Sequence, residues 1–276
     1  MEYKWCVCDM DGTLLNSKGL ISLKNEKSLK NLKHKGVEVI IASGRTDLMM
    51  KPFIKQLDLN GYIICCNGAL IKHICKKEII YCKPIEKSTA NMAIKYCLDN
   101  KLNFLVYTEE LVYSNLNNPR AKQFLELNEK LPKELHAPIE YFSYDEKNIF
   151  ENKTVIKILL VEDDDEKRNN YMNYFKNYQD LGVVSSAKGL LDIWASNISK
   201  GSAIKELAKK LNINLNQVVV FGDNYNDIEM FKVAGMPVAM NNAVDELKRL
   251  AKYVTLSNDE DGIAHAISYL WDAPIS

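Results

Sequence analysis

Apolar residues along this chain gather into short runs that stop at small polar residues, in two regions separated by a stretch of different texture. Residues 4–9 (KWCVCD) form such a run, and the polar, glycine-containing segment after it predicts a buried strand with Asp9 at its carboxyl end. Between Ser22 and Lys35, Leu29 and Leu32 fall at helical spacing, and Gly36 is placed to end that helix in left-handed backbone. Residues 37–42 (VEVIIA) predict the next strand, ending at Ser43. The alternation returns near the C-terminus. There Ala203, Ile204, Leu207, Ala208 and Leu211 form one helical face, and residues 218–221 (VVVF) predict a strand closed by Gly222 and Asp223. Strand, helix and strand with a right-handed crossover is the unit of a helix-covered parallel sheet, so the two ends of the chain are expected to build one α/β core.

The stretch between them is richer in Tyr and Asn. It predicts strands at 103–107 and 155–161 and helices at 88–98 and 165–178. An inserted second domain at 84–188 is expected, with 1–83 and 189–276 forming the core and Pro84 and Gly189 marking the hinges. The acidic run 162–166 reads as a solvated helix start, because nothing spaces its carboxylates around a common point.

Length and composition agree with two globular domains, since 276 residues exceed one ordinary domain and an apolar fraction of 47% can fill a core. Lys plus Arg equals Asp plus Glu at 36 each, and the basic residues are scattered, which excludes the electrostatic footprint of a nucleic-acid binder. The seven cysteines all fall in the first hundred residues and are expected to be reduced, buried thiols. Cys6 and Cys8 read as neighbours on one buried strand face rather than half of a metal site. With no signal-peptide pattern and no apolar run of about 18 residues, a soluble cytoplasmic protein without membrane partners is expected.

Four signals place polar residues just after apolar strands, where open α/β sheets bind ligands. Asp9-Met10-Asp11-Gly12-Thr13-Leu14 offers a carboxylate nucleophile at Asp9 and an acid and base at Asp11. Ser43-Gly44 combines a hydroxyl with a backbone N–H, a natural phosphate cradle. Lys200 precedes a helix, where the dipole disfavours a cation unless an anion accompanies it. Gly222-Asp223-Asn224-Tyr225-Asn226-Asp227 packs two carboxylates and two amides into an oxygen-rich turn suited to a hard cation such as Mg2+. Together they supply the parts of a phosphoryl-transfer site.

These segments resemble the four motifs of haloacid dehalogenase-like phosphatases. Asn67-Gly68-Ala69, residues 238–243 (VAMNNA) and residues 257–263 (SNDEDGI) are similar to signatures of the Cof-like hydrolases. The resemblance implies a Rossmann-like α/β core with an inserted α/β type IIB cap that closes over the site. It further implies Asp9 as the phosphorylated residue and Asp11 as acid and base. Mg2+ would be held by Asp9, the backbone carbonyl of Asp11 and Asp223, with Asp227 in support. Ser43, Gly44, Lys200 and Asn226 would contact the phosphoryl group. Asp192 stands where the family often shows Glu, and Ser43 where Thr is frequent. The implied substrate is a small phosphorylated metabolite, sugar phosphates first. A hexose-phosphate mutase and a non-catalytic phosphometabolite sensor are the alternatives. The first is disfavoured because the insert holds only Arg120 and Arg168 as arginines, the second because Asp11 is present. The substrate's identity and the oligomeric state are not legible at this level.

Overall fold

The computed structural model describes residues 2–146 and 149–271. These fall into two compact units, one built from the chain up to Tyr81 and from Ser199 onward, the other from Cys82–Ile198. In chain order the first unit holds β1 (Trp5–Cys8), α1 (Leu23–His34), β2 (Glu38–Ala42), α2 (Asp47–Gln56), β3 (Tyr62–Cys65), β4 (Leu70–His73) and β5 (Glu78–Cys82). The second holds α3 (Lys87–Asp99), β6 (Asn103–Thr108), β7 (Val112–Asn115), α4 (Pro119–Glu129), β8 (Ile139–Phe142), β9 (Val155–Val161), α5 (Asp165–Lys176), β10 (Leu181–Ala187) and β11 (Leu190–Ala195). The chain then returns to the first unit with α6 (Lys200–Leu211), β12 (Val218–Gly222), α7 (Ile228–Val233), β13 (Met236–Ala239), α8 (Asp245–Leu250), β14 (Tyr253–Val254) and α9 (Gly262–Trp271).

The first sheet runs β14-β13-β12-β1-β2-β3-β4-β5. β1 lies parallel between β2 and β12, with Cys8 level with both Ile41 and Phe221. Chain order therefore reverses beside β1: successive strands step outward through β2 and β3 on one side and through β12, β13 and β14 on the other. Loops leaving β1 and β12 diverge to opposite faces, which opens the crevice in which such sheets hold ligands. β1 and β12 are buried along their whole length, which is why they read as unbroken apolar runs. Ile40, Val7 and Val220 share a buried core with Ile204 and Leu207 of α6. Cys6 and Cys8 lie on one buried face with their Sγ atoms 3.8 Å apart. All seven cysteines are free. The expectation that they are all buried fails at Cys75, exposed in the turn between β4 and β5, and at half-buried Cys82.

The second unit is a six-stranded sheet in the order β10-β11-β9-β6-β7-β8, and α3 and α5 share its core. Ala93, Ile94, Cys97 and Phe175 from the helices meet Phe104, Val106, Ile158, Leu160 and Ile193 from the strands. Gly189, expected as the hinge back to the core, instead sits at φ +76° in the turn between β10 and β11. Those two strands pair through Val183 and Ile193 and complete this sheet, so the unit runs on to Ile198. Asp164 caps α5 by accepting from the N–H groups of Glu166 and Lys167, as a solvated acidic helix start should. Asp192 forms a buried ion pair with Lys157 of the neighbouring β9. No helix among the described residues is long and apolar enough to cross a membrane.

Ile40 is fully buried beside Val7. Ile40→Ala is expected to cost about 2–5 kcal/mol, read as a lower urea midpoint with an unchanged denaturant slope.

Candidate active site

β1 delivers Asp9 directly beyond its last residue. The ladder continues one step further, for the Asp9 N–H donates to the Phe221 carbonyl at 2.9 Å, and Asp9 is left 5% exposed. The chain then turns sharply. Gly12 adopts φ +86°, and a Cβ built there would stand 2.4 Å from Asp223 Oδ2, so only glycine admits the Asp223 carboxylate this close. Thr13 Oγ1 donates to Asp223 Oδ1 at 2.8 Å and fixes that carboxylate from the same turn.

Asp227 reaches the same place from the turn that carries Asp223. Its Oδ2 accepts from the N–H groups of Asp223 (3.0 Å) and Asn224 (3.1 Å), folding residues 223–227 back on themselves, and Gly222 leaves room for it. Lys200 is the first residue of α6, held by the reciprocal bonds of Ser199 and Ser202. Gly201 lets α6 approach α7 so closely that a Cβ would lie 2.2 Å from the Glu229 carbonyl. Thus placed, Lys200 is wholly buried. Its Nζ donates to Asp227 Oδ1 at 2.7 Å and to Asp9 Oδ1.

Asp9, Asp223 and Asp227 present carboxylate oxygens that all lie within 4.8 Å of one another. Three carboxylates against one ammonium leave two negative charges in a largely buried space. Burial, the largest cause, and then the charge of Asp227 push Asp9 well above the usual carboxylate range, against the pull of Lys200. Burial likewise pushes Asp223 up to about 6, with the Thr13 hydroxyl drawing it down and Asp227 adding to the rise. For Lys200, burial alone would lower the pKa, but Asp227 and Asp9 outweigh it and hold the ammonium charged. An all-oxygen donor set with two unbalanced negative charges fits a hard divalent cation, which would offset the repulsion that lifts these pKa values.

The remaining expected residues sit around this cluster in two arrangements. Asp11 does not join the three carboxylates. Its side chain is 60% exposed and is gripped by the Arg45 fork, with Arg45 Nε at 2.9 Å. Ser43 is buried at the end of β2, where its N–H donates to the Ile64 carbonyl and its Oγ accepts from the Arg45 N–H. Gly44 lies against the Asn67 side chain, and Asn226 Nδ2 donates to Asn67 Oδ1 at 3.1 Å. Arg45 and Asn67 were not among the expected site residues. Their signals were the third letter of Ser-Gly-Arg and the Asn-Gly pair after an apolar strand. The two later signatures contribute anchors: Asn242 Nδ2 donates to the Gly12 carbonyl at 2.8 Å, and Asn258 Nδ2 to the Leu15 carbonyl at 2.9 Å.

A family model described as haloacid dehalogenase-like hydrolase matches residues 6–267. The chain is 32% identical to Phosphatase YwpJ of Bacillus subtilis, covering 97% of this chain and 99% of that protein. It is 30% identical to the 5-amino-6-(5-phospho-D-ribitylamino)uracil phosphatase YwtE of the same organism, over 97% and 98%. Among solved structures, a haloacid dehalogenase-like hydrolase from Bacteroides thetaiotaomicron superposes with a TM-score of 0.86 at 29% identity, over 98% of this chain and 100% of that one. The fold is also that of the subclass IIB sugar phosphatase BT4131, at a TM-score of 0.80 and 24% identity, over 98% and 100%.

Three outcomes follow from the charge cluster. Lys200→Met strands Asp9 and Asp227 without a countercharge and is expected to cost about 3–5 kcal/mol in urea unfolding, partly restored by adding Asp9→Asn. Asp223 binds its proton more tightly folded than unfolded, so it makes the metal-free protein lose stability as pH rises from about 4 to about 6. At pH 7, a divalent cation at 100 times its Kd is expected to return about 2.7 kcal/mol, read as a higher Tm.

Proposed function

This chain belongs to the haloacid dehalogenase-like hydrolases, and from that premise we propose that it is a Mg2+-dependent phosphatase of small phosphorylated metabolites, acting through a phosphorylated Asp9. The observation that carries the reading is the junction of Asp9 with Lys200, Asp223 and Asp227: a desolvated carboxylate at a strand end, beside a buried ammonium and a cation-ready acidic pair.

In this reading an Asp9 Oδ attacks the phosphorus and the bond to the ester oxygen breaks. Asp11, which turns from Arg45 toward the leaving oxygen and enters this step as the protonated acid, gives that oxygen its proton. Asp11 then takes a proton from water, whose oxygen attacks the same phosphorus. The bond from Asp9 to phosphorus breaks, inorganic phosphate leaves, and both aspartates return to their starting states. Phosphoryl oxygens are received by the Ser43 hydroxyl, the Gly44 N–H, Asn226 and Lys200, which has a third N–H beyond the two given to Asp9 and Asp227. Asp9, Asp223 and the Asp11 carbonyl, supported by Asp227, would hold Mg2+, which when bound neutralises charge on the nucleophile and the transferring group.

Sugar phosphates and related polyol phosphates are the substrate class we favour. A relative at 30% identity is named for a phosphorylated ribityl compound, and this supports the choice. Seven free thiols accord with work in the reducing cytoplasm.

The test is phosphate release from a panel of sugar phosphates, nucleotides and p-nitrophenyl phosphate, with and without Mg2+. Metal-dependent turnover is expected, abolished by Asp9→Asn and lowered roughly 10²- to 10⁴-fold by Asp11→Asn. Absence of release from every compound in the presence of Mg2+ would overturn the proposal.

A further inference from the structure

The four residues assigned to the phosphoryl group come from three separate segments, and a single three-residue turn borders all three. Cys66, Asn67 and Gly68 have φ values of +51°, +56° and +106°. Non-glycine residues rarely adopt this left-handed region, and consecutive examples persist only where surrounding contacts hold them. Here the contacts are with the site. The Asn67 N–H donates to the Ser43 carbonyl and the Cys66 N–H to the Arg45 carbonyl, each at 2.9 Å, so the loop is laced to the turn on both sides of Gly44. The Asn67 amide lies beside Gly44, where an added Cβ would stand 3.1 Å from its Oδ1. That same Oδ1 accepts from Asn226 Nδ2. Gly68 presses on the carbonyl of Ser199, the residue that caps α6 just before Lys200, leaving 2.3 Å for any Cβ.

We propose that Asn67 is a positioning residue for phosphoryl binding: its side-chain oxygen aims Asn226 while its amide seats the Ser43-Gly44 loop. The proposal rests on the phosphatase reading above, which supplies the roles of Ser43, Gly44 and Asn226. A buried asparagine serving only the core would bond to backbone or to its own element. Asn67 is 6% exposed, and its side chain bonds to another side chain 159 residues away, on the turn that also carries Asp223 and Asp227.

Asn67→Gly suits the left-handed backbone and deletes only the amide. With the full chain in Mg2+ and the best substrate of the panel, it is expected to raise KM and the Ki for inorganic phosphate about tenfold, the scale of one misplaced hydrogen-bond donor. The fall in kcat should be smaller and Tm should hold. Because Asn67 acts through Asn226, Asn226→Ala should add nothing further in the Asn67→Gly background. Asn67→Asp keeps the acceptor and the backbone tolerance, so Asn226→Ala should keep its full effect there.

An active wild type whose phosphate Ki is unmoved by Asn67→Gly, or effects of the two substitutions that simply multiply, would sink this proposal alone. So would loss of Tm and kcat together in both Asn67 variants, which would assign the residue to the core. A wild type without turnover on any substrate would instead remove the functional reading beneath it.

Discussion

Lys200, wholly buried between Asp9 and Asp227, is the interaction on which the arrangement of the site depends. A buried ammonium is tolerable only when carboxylates accompany it, and buried carboxylates only when a cation does. One side chain therefore ties the start of α6 to the end of β1 and to the turn after β12. The pairing is deliberately incomplete in charge. With Asp223 alongside, the site holds three carboxylates for one ammonium, an all-oxygen set of the kind that fits a divalent cation.

Convergence of these segments follows from the sheet. β1 sits where the strand order reverses, so the loops after β1 and β12 open a crevice instead of closing over one another. Glycines then permit approaches that a side chain would forbid. Gly12 admits the Asp223 carboxylate, Gly222 admits Asp227, and Gly201 admits the backbone of α7 against α6. Asn242 and Asn258, from distant loops, hold the backbone of the first loop from outside.

Two environments meet around this centre. The carboxylate and lysine cluster is buried and tightly bonded, whereas Asp11, to which proton transfer is assigned, is largely exposed and rests on Arg45. A group that must give and take protons has to exchange with leaving group and water, and an exposed carboxylate on a short turn meets that requirement better than one locked in the core. On the other flank, the strained turn at Cys66, Asn67 and Gly68 links the loop after β2, the start of α6 and the turn after β12.

Apolar runs ending in Asp9, Ser43 and Gly222-Asp223 were enough to read the parallel core and the residues on which the chemistry is proposed to rest, because apolar runs and strand-end position are local properties. The sequence could not show that Gly189 lies inside a hairpin, since only the pairing of β10 with β11 reveals it. Nor could it show which anion would answer Lys200. The helix dipole said that one was needed, and the partners Asp9 and Asp227 stand 191 and 27 residues away. Asp11 turning to Arg45, and Asn67 bonding to Asn226, were decided by tertiary structure for the same reason. Sequence patterns report what each segment presents at its end, but hydrogen bonds and charge pairs between segments exist only once the sheet has set those ends side by side.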